Sequence, residues 1–126
     1  MKKKIVNSNS ASAPIGPYSQ AVIAGEFLFV SGQIAIDSIS NKLMTSDIET
    51  ETRQVMQNIQ AILVEAGMNF ASIVKTTIFL KDMHNFAKVN EVYGSYFSGD
   101  FPARETIEVS RLPKDVNVEI SIVAVE

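Results

Sequence analysis

The segment from Ser46 to Gly67 has a strongly amphipathic helical pattern. Ser46-Asp47-Ile48-Glu49 matches the S-x-x-E capping box, which predicts Ser46 as the cap and Glu49 as the residue that reaches back. Gly67 supplies the stop signal at the other end. Between them an apolar stripe recurs at helical spacing: Val55, Ile59, Ile62, Leu63 and Ala66. Such a helix must bury its apolar face against another element.

β-rich segments flank this helix on both sides. We predict strands at residues 4–6, 21–24, 27–33, 73–80, 104–109 and 117–125, with a loop over residues 34–45. Gly25-Glu26 predicts a hairpin between the second and third strands. We expect the last two strands to pair with each other through the RLPKD turn.

A second helix is predicted to begin near Asp82 or Asn85. Its expected buried face consists of Phe86, Val89, Tyr93, Tyr96 and Phe97. The element order is therefore β-β-β-α-β-α-β-β. One face of a sheet can receive both helices, which predicts a two-layer α+β sandwich in a single domain, residues 1–126.

The last strand suggests that the other sheet face is also covered. Val118, Ile120 and Ile122 point one way, whereas Glu119 and Ser121 point the other way together with Asn117, Val123 and Val125. A solvent-facing side would carry more charge than this. We therefore expect the second face to be buried by self-association.

Composition excludes several classes of function. The net charge is −3 and the basic residues are scattered apart from Lys2, Lys3 and Lys4, so a nucleic-acid partner is not expected. Without cysteine there is no disulfide, thiol nucleophile or thiolate metal site. The start MKKKIVNSNS lacks the apolar region of a secretory signal, and no run is long enough to span a membrane. We expect a soluble, cytoplasmic protein.

Cofactor and metal motifs are also missing. His84 is the single histidine and lies in the loop KDMHN, where a surface role is the simpler interpretation. The sequence contains neither G-x-G-x-x-G nor G-x-x-x-x-G-K-[ST], so nucleotide hydrolysis and dinucleotide cofactors lose support. We expect no metal and no organic cofactor.

Three features remain as candidates for chemistry. Arg104 follows Pro102-Ala103 at the start of a strand, where its planar fork suits either a carboxylate ligand or a structural ion pair. Glu119 lies in the apolar strand VNVEISIVAV and is either ion-paired or a proton acceptor whose pKa is raised by burial. GPYSQ and SGQI place hydroxyls and amides beside glycine, where backbone N–H groups can approach a ligand.

Together these stretches resemble the RidA family, also called the YjgF or L-PSP family. The resemblance covers nearly the whole chain. It runs through APIGPYSQA, FVSGQI, ETRQVMQNIQAILVEAG, VKTTIFLKDM, FAKVNEVYGSYF, FPARETIEV and RLPKDVNVEISIVA.

The resemblance implies a chorismate-mutase-like fold and a homotrimer with a central barrel and sites between subunits. It implies hydrolysis of reactive 2-imino acids, such as 2-iminopropanoate and 2-iminobutanoate, to 2-keto acids and ammonia.

The same resemblance implies roles for particular residues. Arg104 corresponds to the arginine that binds the substrate carboxylate, and Glu119 corresponds to the residue that holds a water near the imine carbon. Further substrate-binding positions correspond to Tyr18, Ser31, Gly32 and Asn90.

The chain departs from the family pattern at one position. Thr106 stands two residues after the arginine, where many members have cysteine, and its hydroxyl can still hydrogen-bond in the pocket. Three alternatives stay open: an endoribonuclease that inhibits translation, a non-catalytic module that binds small carboxylates, and a relative acting on another amino or imino substrate. The net charge and the single histidine argue against the first.

Overall fold

A computed structural model describes residues 2–126. The residues that it describes form six strands and two α-helices: β1 (Lys3–Val6), β2 (Ala21–Ala24), β3 (Phe27–Gln33), α1 (Ile48–Glu65), β4 (Ile73–Leu80), α2 (Phe86–Gly94), β5 (Ala103–Glu108) and β6 (Val118–Val125). No helix in this part of the chain is both long and apolar enough to cross a lipid bilayer.

The six strands form one mixed sheet in the order β1-β2-β3-β6-β4-β5. The predicted hairpin is confirmed, because Ala24 pairs with Phe27 across Gly25-Glu26. The predicted pairing of the last two strands is wrong: β5 lies at the sheet edge and runs parallel to β4. The order β4-α2-β5 is a strand–helix–strand unit, and a helical crossover brings its two strands side by side in parallel.

Strand β6 instead takes the centre of the sheet, antiparallel to β3 on one side and to β4 on the other. Its inward residues are fully or almost fully buried: Val118, Ile120, Ile122 and Ala124. A central position pairs both edges of this apolar strand, so its backbone groups are satisfied where water is excluded.

Both helices pack on one face of the sheet, here called the inner face, which confirms the two-layer α+β prediction. The core between the layers combines Leu28 and Val30 of β3, Ile78 and Leu80 of β4, and the inward residues of β6 with the α1 stripe Val55, Met56, Ile59, Ile62 and Leu63. Helix α2 contributes Val89 and Tyr93.

The start of α1 differs from the prediction. Asp47, not Ser46, is the N-cap, and its carboxylate accepts a hydrogen bond from Thr50 N at 2.7 Å. The helix begins at Ile48, so Glu49 lies one position too early to close a capping box. The predicted end is correct. Gly67 has φ +73°, and Met68 N donates to Leu63 O at 2.8 Å, as in a Schellman motif.

Helix α2 follows a single 3-10 turn, Met83–Asn85, whose N-cap is Asp82. Val89, Val92 and Tyr93 form its buried face, with Tyr96 and Phe97 partly buried beyond its end. Phe86 was expected in this face but is 38% exposed. It is the first residue of α2, and its ring lies beside the side chain of Arg104 rather than in the core.

The outer face of the sheet, opposite the helices, carries large apolar side chains. Phe27 and Phe29 are 46% and 48% exposed, and their rings lie 6.3 Å apart. They stand across from Val125 and Val123 of β6. The face also bears polar groups, including the Lys75–Glu105 ion pair at 3.0 Å.

Candidate functional site

A bulge in β3 creates the first half of the candidate site. Val30 pairs with Ile122 but Gln33 pairs with Ile120, so the register shifts by one residue at Ser31-Gly32. Such bulges redirect a strand locally. A Cβ built on Gly32 would lie only 2.7 Å from Glu119 Cδ and 3.0 Å from Cγ. Any larger residue at this position would displace the Glu119 side chain, which lies directly against the backbone of Gly32.

Glu119 points to the outer face, where it stands opposite Phe79 of β4. Its side chain is half-buried, and within residues 2–126 its carboxylate has no hydrogen-bond or ion-pair partner. Loss of water around it raises the pKa of Glu119 above the ordinary carboxyl value. The ion-pair alternative for Glu119 therefore finds no partner in the part of the chain that the structure describes.

A cavity of about 320 Å³ opens beside this carboxylate. Four of the residues predicted for the site line it: Tyr18, Ser31, Gly32 and Glu119. Three apolar lining residues were missed by the sequence interpretation: Ile15, Ile34 and Pro113. Ile15 directly precedes GPYSQ and Ile34 is the last residue of SGQI, so both could have been found from these motifs. Pro113 lies far from both motifs along the chain, and only the fold brings it to the cavity.

Buried hydrogen bonds hold the loop that carries Tyr18. The Gln20 side chain accepts from Ser8 N at 2.7 Å and donates to Ser12 O at 2.9 Å. Ser31 Oγ donates to Ser19 O at 2.6 Å, which ties this loop to the β3 bulge. The two motifs GPYSQ and SGQI are thus joined into one wall of the cavity.

Arg104 lies in a second cleft of about 270 Å³, lined by Asn90, Tyr93, Gly94, Phe101, Pro102 and Arg104. Its guanidinium carbon is 5.2 Å from the centre of the Tyr93 ring and 5.8 Å from that of Phe86. Aromatic rings attract and orient a guanidinium. No carboxylate of residues 2–126 lies within ion-pair distance of Arg104. The structural ion pair considered for Arg104 has no acidic partner among these residues.

Tyr93 is itself fixed in place. Burial raises the pKa of Tyr93, so its hydroxyl stays protonated and donates to Thr76 Oγ1 at 2.8 Å. Thr76 of β4 is the register partner of Arg104 in β5. The hydrogen bond to Thr76 therefore holds the Tyr93 ring beside the Arg104 side chain.

Thr106 lies two residues beyond Arg104 on the same side of β5. Its Oγ1 is buried and has no hydrogen-bond partner within residues 2–126. Buried polar atoms are normally paired, and this one lines neither the cavity beside Glu119 nor the cleft of Arg104.

The predicted residues thus fall into two groups that one chain does not bring together. Arg104 pairs with Thr76, a buried residue of the inner face, whereas Glu119 pairs with Phe79 on the outer face. Asn90 and Arg104 share one cleft, and Tyr18, Ser31, Gly32 and Glu119 share the other.

The remaining candidates do not add a metal site. His84 has a 97% exposed side chain and contacts Asp82 at 2.8 Å, in agreement with a surface role. Among residues 2–126 no group of three or more acidic or histidine side chains is placed to hold a metal ion.

Comparison with known proteins agrees with the motifs. The family model described as endoribonuclease L-PSP matches residues 8–126. A RutC family protein of Pyrococcus horikoshii is 52% identical over 122 residues, which cover 97% of each chain.

A rat 2-iminobutanoate/2-iminopropanoate deaminase is 41% identical over 124 residues, covering 98% of this chain and 90% of the relative. The crystal structure of E. coli TdcF with bound serine superposes with a TM-score of 0.94 at 38% identity and covers 98% of both chains. The chain therefore belongs to the endoribonuclease L-PSP family, the RidA or YjgF family that its motifs resemble.

Proposed function

We propose that this protein hydrolyses 2-imino acids to 2-keto acids and ammonia, at a site that two copies of the chain form together. The observation that carries the proposal is the state of Arg104. Its guanidinium has no acidic partner in residues 2–126, is held against Tyr93, and faces a cleft large enough for a small acid.

Arg104 binds the substrate carboxylate. Two parallel N–H donors match the two carboxylate oxygens, and the aromatic rings limit the rotation of the guanidinium. Hydrogen bonds to charged groups contribute about 1.5–3 kcal/mol each. We place Thr106 Oγ1, which is unpaired within residues 2–126 and lies on the same side of β5, as a further hydrogen-bonding group for the ligand once the site is assembled.

Glu119 activates the water. Its raised pKa makes the carboxylate a better proton acceptor than an ordinary one, and the lack of a hydrogen-bond partner within residues 2–126 leaves its oxygens free for a water molecule. General-base catalysis by such a group typically contributes about 10²–10⁴-fold.

The reaction balances without a cofactor. Water adds to the imine carbon while Glu119 takes its proton, and that proton then passes to the nitrogen. The hydroxyl proton of the resulting carbinolamine is then transferred through Glu119 to its nitrogen, the C–N bond breaks, ammonia leaves, and the carbonyl of the 2-keto acid forms. The carboxylate on Arg104 is unchanged throughout.

The separation of the two groups supports a site between subunits. Arg104 and Glu119 lie on opposite sides of the sheet in one chain, so one substrate meets both only if they come from different copies. We place these copies in a homotrimer whose outer sheet faces, with Phe27 and Phe29, face one another. Burial of that apolar surface favours assembly.

The relatives support the same chemistry. The rodent proteins of 41% identity are named as 2-iminobutanoate/2-iminopropanoate deaminases. The TdcF structure holds serine, an α-amino acid whose carboxylate and Cα–N bond resemble those of an α-imino acid.

The test generates 2-iminobutanoate in place with a threonine dehydratase and follows its decay. We expect the protein to accelerate decay, Arg104→Ala to abolish the acceleration, and Arg104→Lys to restore only a small part of it. Lysine keeps the charge but not the two-donor geometry. No acceleration by a folded, oligomeric wild-type protein would refute the deaminase and favour a carboxylate-binding module.

The family description favours one second candidate, an endoribonuclease. Against it stand the net charge of −3 and the exposed position of His84. RNA cleavage that survives repeated purification and is lost in Arg104→Ala would support this candidate. Cleavage that is unchanged in this variant would point to a contaminant.

A further inference from the structure

Helix α1 carries three fully buried polar side chains that the proposed mechanism does not use: Thr52, Glu51 and Asn58. Thr52 Oγ1 donates to Ile48 O within the helix, whereas Glu51 and Asn58 bond to segments outside it. Glu51 and Asn58 are seven residues apart, about two helical turns, and therefore lie on the same face. Burial of a carboxylate or an amide is unfavourable unless its hydrogen-bonding groups are satisfied. The partners of these two side chains indicate what they do.

Glu51 binds the start of β6. Its Oε2 accepts from Asn117 N at 2.7 Å and from Val118 N at 3.1 Å, and its Oε1 accepts from Asn117 Nδ2 at 2.7 Å. No lysine or arginine of residues 2–126 lies within ion-pair distance of this carboxylate. Three donors from one short segment thus satisfy a buried charge, and the next residue in the chain is Glu119.

Asn58 binds the segment that follows the β3 bulge. Its Nδ2 donates to Ile34 O at 3.1 Å and to Ile36 O at 3.0 Å, while its Oδ1 accepts from Gln54 Nε2 at 3.0 Å. Ile34 is two residues beyond Gly32, the residue on which the Glu119 side chain lies.

The two segments held by α1 also contact each other. Ile34, Ile36 and Val116 form a small apolar cluster with Leu112, separate from the main core. Part of the lining of the cavity beside Glu119 comes from these same segments, through Gly32 and Ile34 on one side and Pro113 and Glu119 on the other, while the loop with Tyr18 completes it. Helix α1 thus forms buried hydrogen bonds to both of these segments.

We propose that Glu51 and Asn58 are positioning residues that hold the Glu119 carboxylate against Gly32 and in line with the cavity. Neither touches the substrate, and the link to catalysis rests on the function proposed above. The effect on Glu119 itself does not depend on which substrate the site takes.

Two substitutions of Glu51 separate the effect of its hydrogen bonds from the effect of its side-chain volume. Glu51→Met keeps the approximate volume but removes every acceptor, which leaves Asn117 N and Val118 N unpaired. Glu51→Gln keeps one carbonyl oxygen for both backbone donors, and a flip of the Asn117 amide accommodates the new NH₂ group. Glu65→Gln removes an exposed charge from the same helix and is the matched control.

The first readout is kinetic. We expect Glu51→Met to lower kcat about tenfold or more, because a displaced base or water costs orientation. KM should stay within roughly twofold, since Arg104 lies on another element. Glu51→Gln should restore most of kcat, and Glu65→Gln should match the wild type. The acid limb of the pH profile should move toward lower pH in Glu51→Met as Glu119 gains water.

The second readout is independent of activity. Carboxyl ¹³C NMR follows the titration of Glu119 directly, with its signal assigned by its absence in Glu119→Gln. Tyr18 is the other titratable side chain of residues 2–126 that lines that cavity, and in the proposed assembly Arg104 of a neighbouring copy faces it as well. We expect the Glu119 titration to shift to lower pH in Glu51→Met and to return in Glu51→Gln. Asn117→Ala removes a single donor and should give a smaller shift in the same direction if Glu51→Met does not fold.

The inference is overturned if the Glu119 titration is the same in wild type, Glu51→Met and Asn117→Ala. A kcat lowered by one factor at every pH would then show that Glu51 affects only the amount of folded protein. If the wild type does not hydrolyse imines but the NMR shift appears, the proposed function fails and the positioning role stands.

Discussion

At the scale of single residues, the candidate site depends on close contact between a side chain and the backbone, so a larger residue at the contact would displace the side chain. Gly32 does not need glycine for its backbone conformation. It needs glycine because Glu119 occupies the space of a Cβ. The carboxylate is in turn kept partly dry, which raises the pKa of Glu119. The absence of a Cβ at Gly32 thus allows the position at which the pKa of Glu119 is raised.

We expect Gly32→Ala to lower kcat about tenfold or more, because the new Cβ forces the Glu119 carboxylate away from its position. Thermal unfolding should change little, since the displaced group is the end of a side chain that borders a cavity. Steady-state kinetics and a melting curve check the two halves. An unchanged kcat would show that the observed position of the carboxylate is not the one that matters.

The pH dependence follows from the raised pKa of Glu119. Activity should fall on the acid side with an apparent pKa above 4.5, the ordinary value for this carboxyl, because the protonated group cannot accept a proton from water. The pH profile of kcat measures this, and Glu119→Gln should have a lower rate and no such limb. A limb that persists in Glu119→Gln would assign the titration to another group.

The same shift predicts a cost in stability. The folded state binds the Glu119 proton more tightly than the unfolded state, so the contribution of this group to stability is greatest below pH 4.5 and is lost as pH rises through the raised pKa. Glu119→Gln should therefore melt above the wild type at pH 8, and the gain should shrink toward pH 4. Melting curves of both proteins at the two pH values test this sign.

At the scale of elements, α1 is both the main core helix and the support of the cavity. Its apolar stripe was readable from spacing, and so was its end at Gly67. Its start was not, because Ser46 and Asp47 are both good caps and the choice depends on which side chain reaches a free N–H. The roles of Glu51 and Asn58 could not be predicted either, because their partners are distant along the chain. The backbone partners of Glu51 are 66 and 67 residues away, and those of Asn58 are 24 and 22 residues away.

Substitution of the two candidate caps tests the observed start of α1. Asp47→Ala should lower the melting temperature, whereas Ser46→Ala should leave it nearly unchanged. The hydrogen bond from Thr50 N holds the pKa of Asp47 below its usual value of 3.8. Its stabilisation is therefore present above that value and lost as pH falls through the lowered pKa. The reverse ranking of the two variants would support the capping box of Ser46.

Sequence patterns predicted the strands over residues 21–24, 27–33 and 73–80 because alternation and turn residues are local signals. They did not predict the partner of β5, since pairing with β4 depends on a helical crossover. Local motifs likewise identified Arg104 and Glu119 as unusual. Only the sheet register shows that they lie on opposite faces.

At the scale of the whole molecule, the outer sheet face and the divided site point to the same assembly. Phe27 and Phe29 are large apolar side chains that one chain leaves half exposed. In the proposed trimer they are covered, and each Arg104 meets a Glu119 from a neighbour. Assembly then buries the apolar outer face and completes the catalytic site at the same time.

Mixing the Arg104 and Glu119 variants, each impaired when refolded alone, tests this arrangement. Arg104→Ala and Glu119→Gln subunits, unfolded and refolded together in equal amounts, should regain activity in about one quarter of sites if each site takes one residue from each of two subunits. Each variant refolded alone is the control. No recovery in mixed oligomers, confirmed by mass spectrometry, would place both residues in a site of one chain.

A site divided between subunits also makes the activity per molecule depend on the protein concentration. In a single chain, Arg104 and Glu119 lie on opposite faces of the sheet and cannot act on one substrate. Under the proposed function, a chain is therefore inactive until it assembles with other copies. Rate per molecule would then fall on dilution as subunits separate, even though each chain stays folded. The activity would therefore report how much of the protein is assembled, and not simply how many folded chains are present.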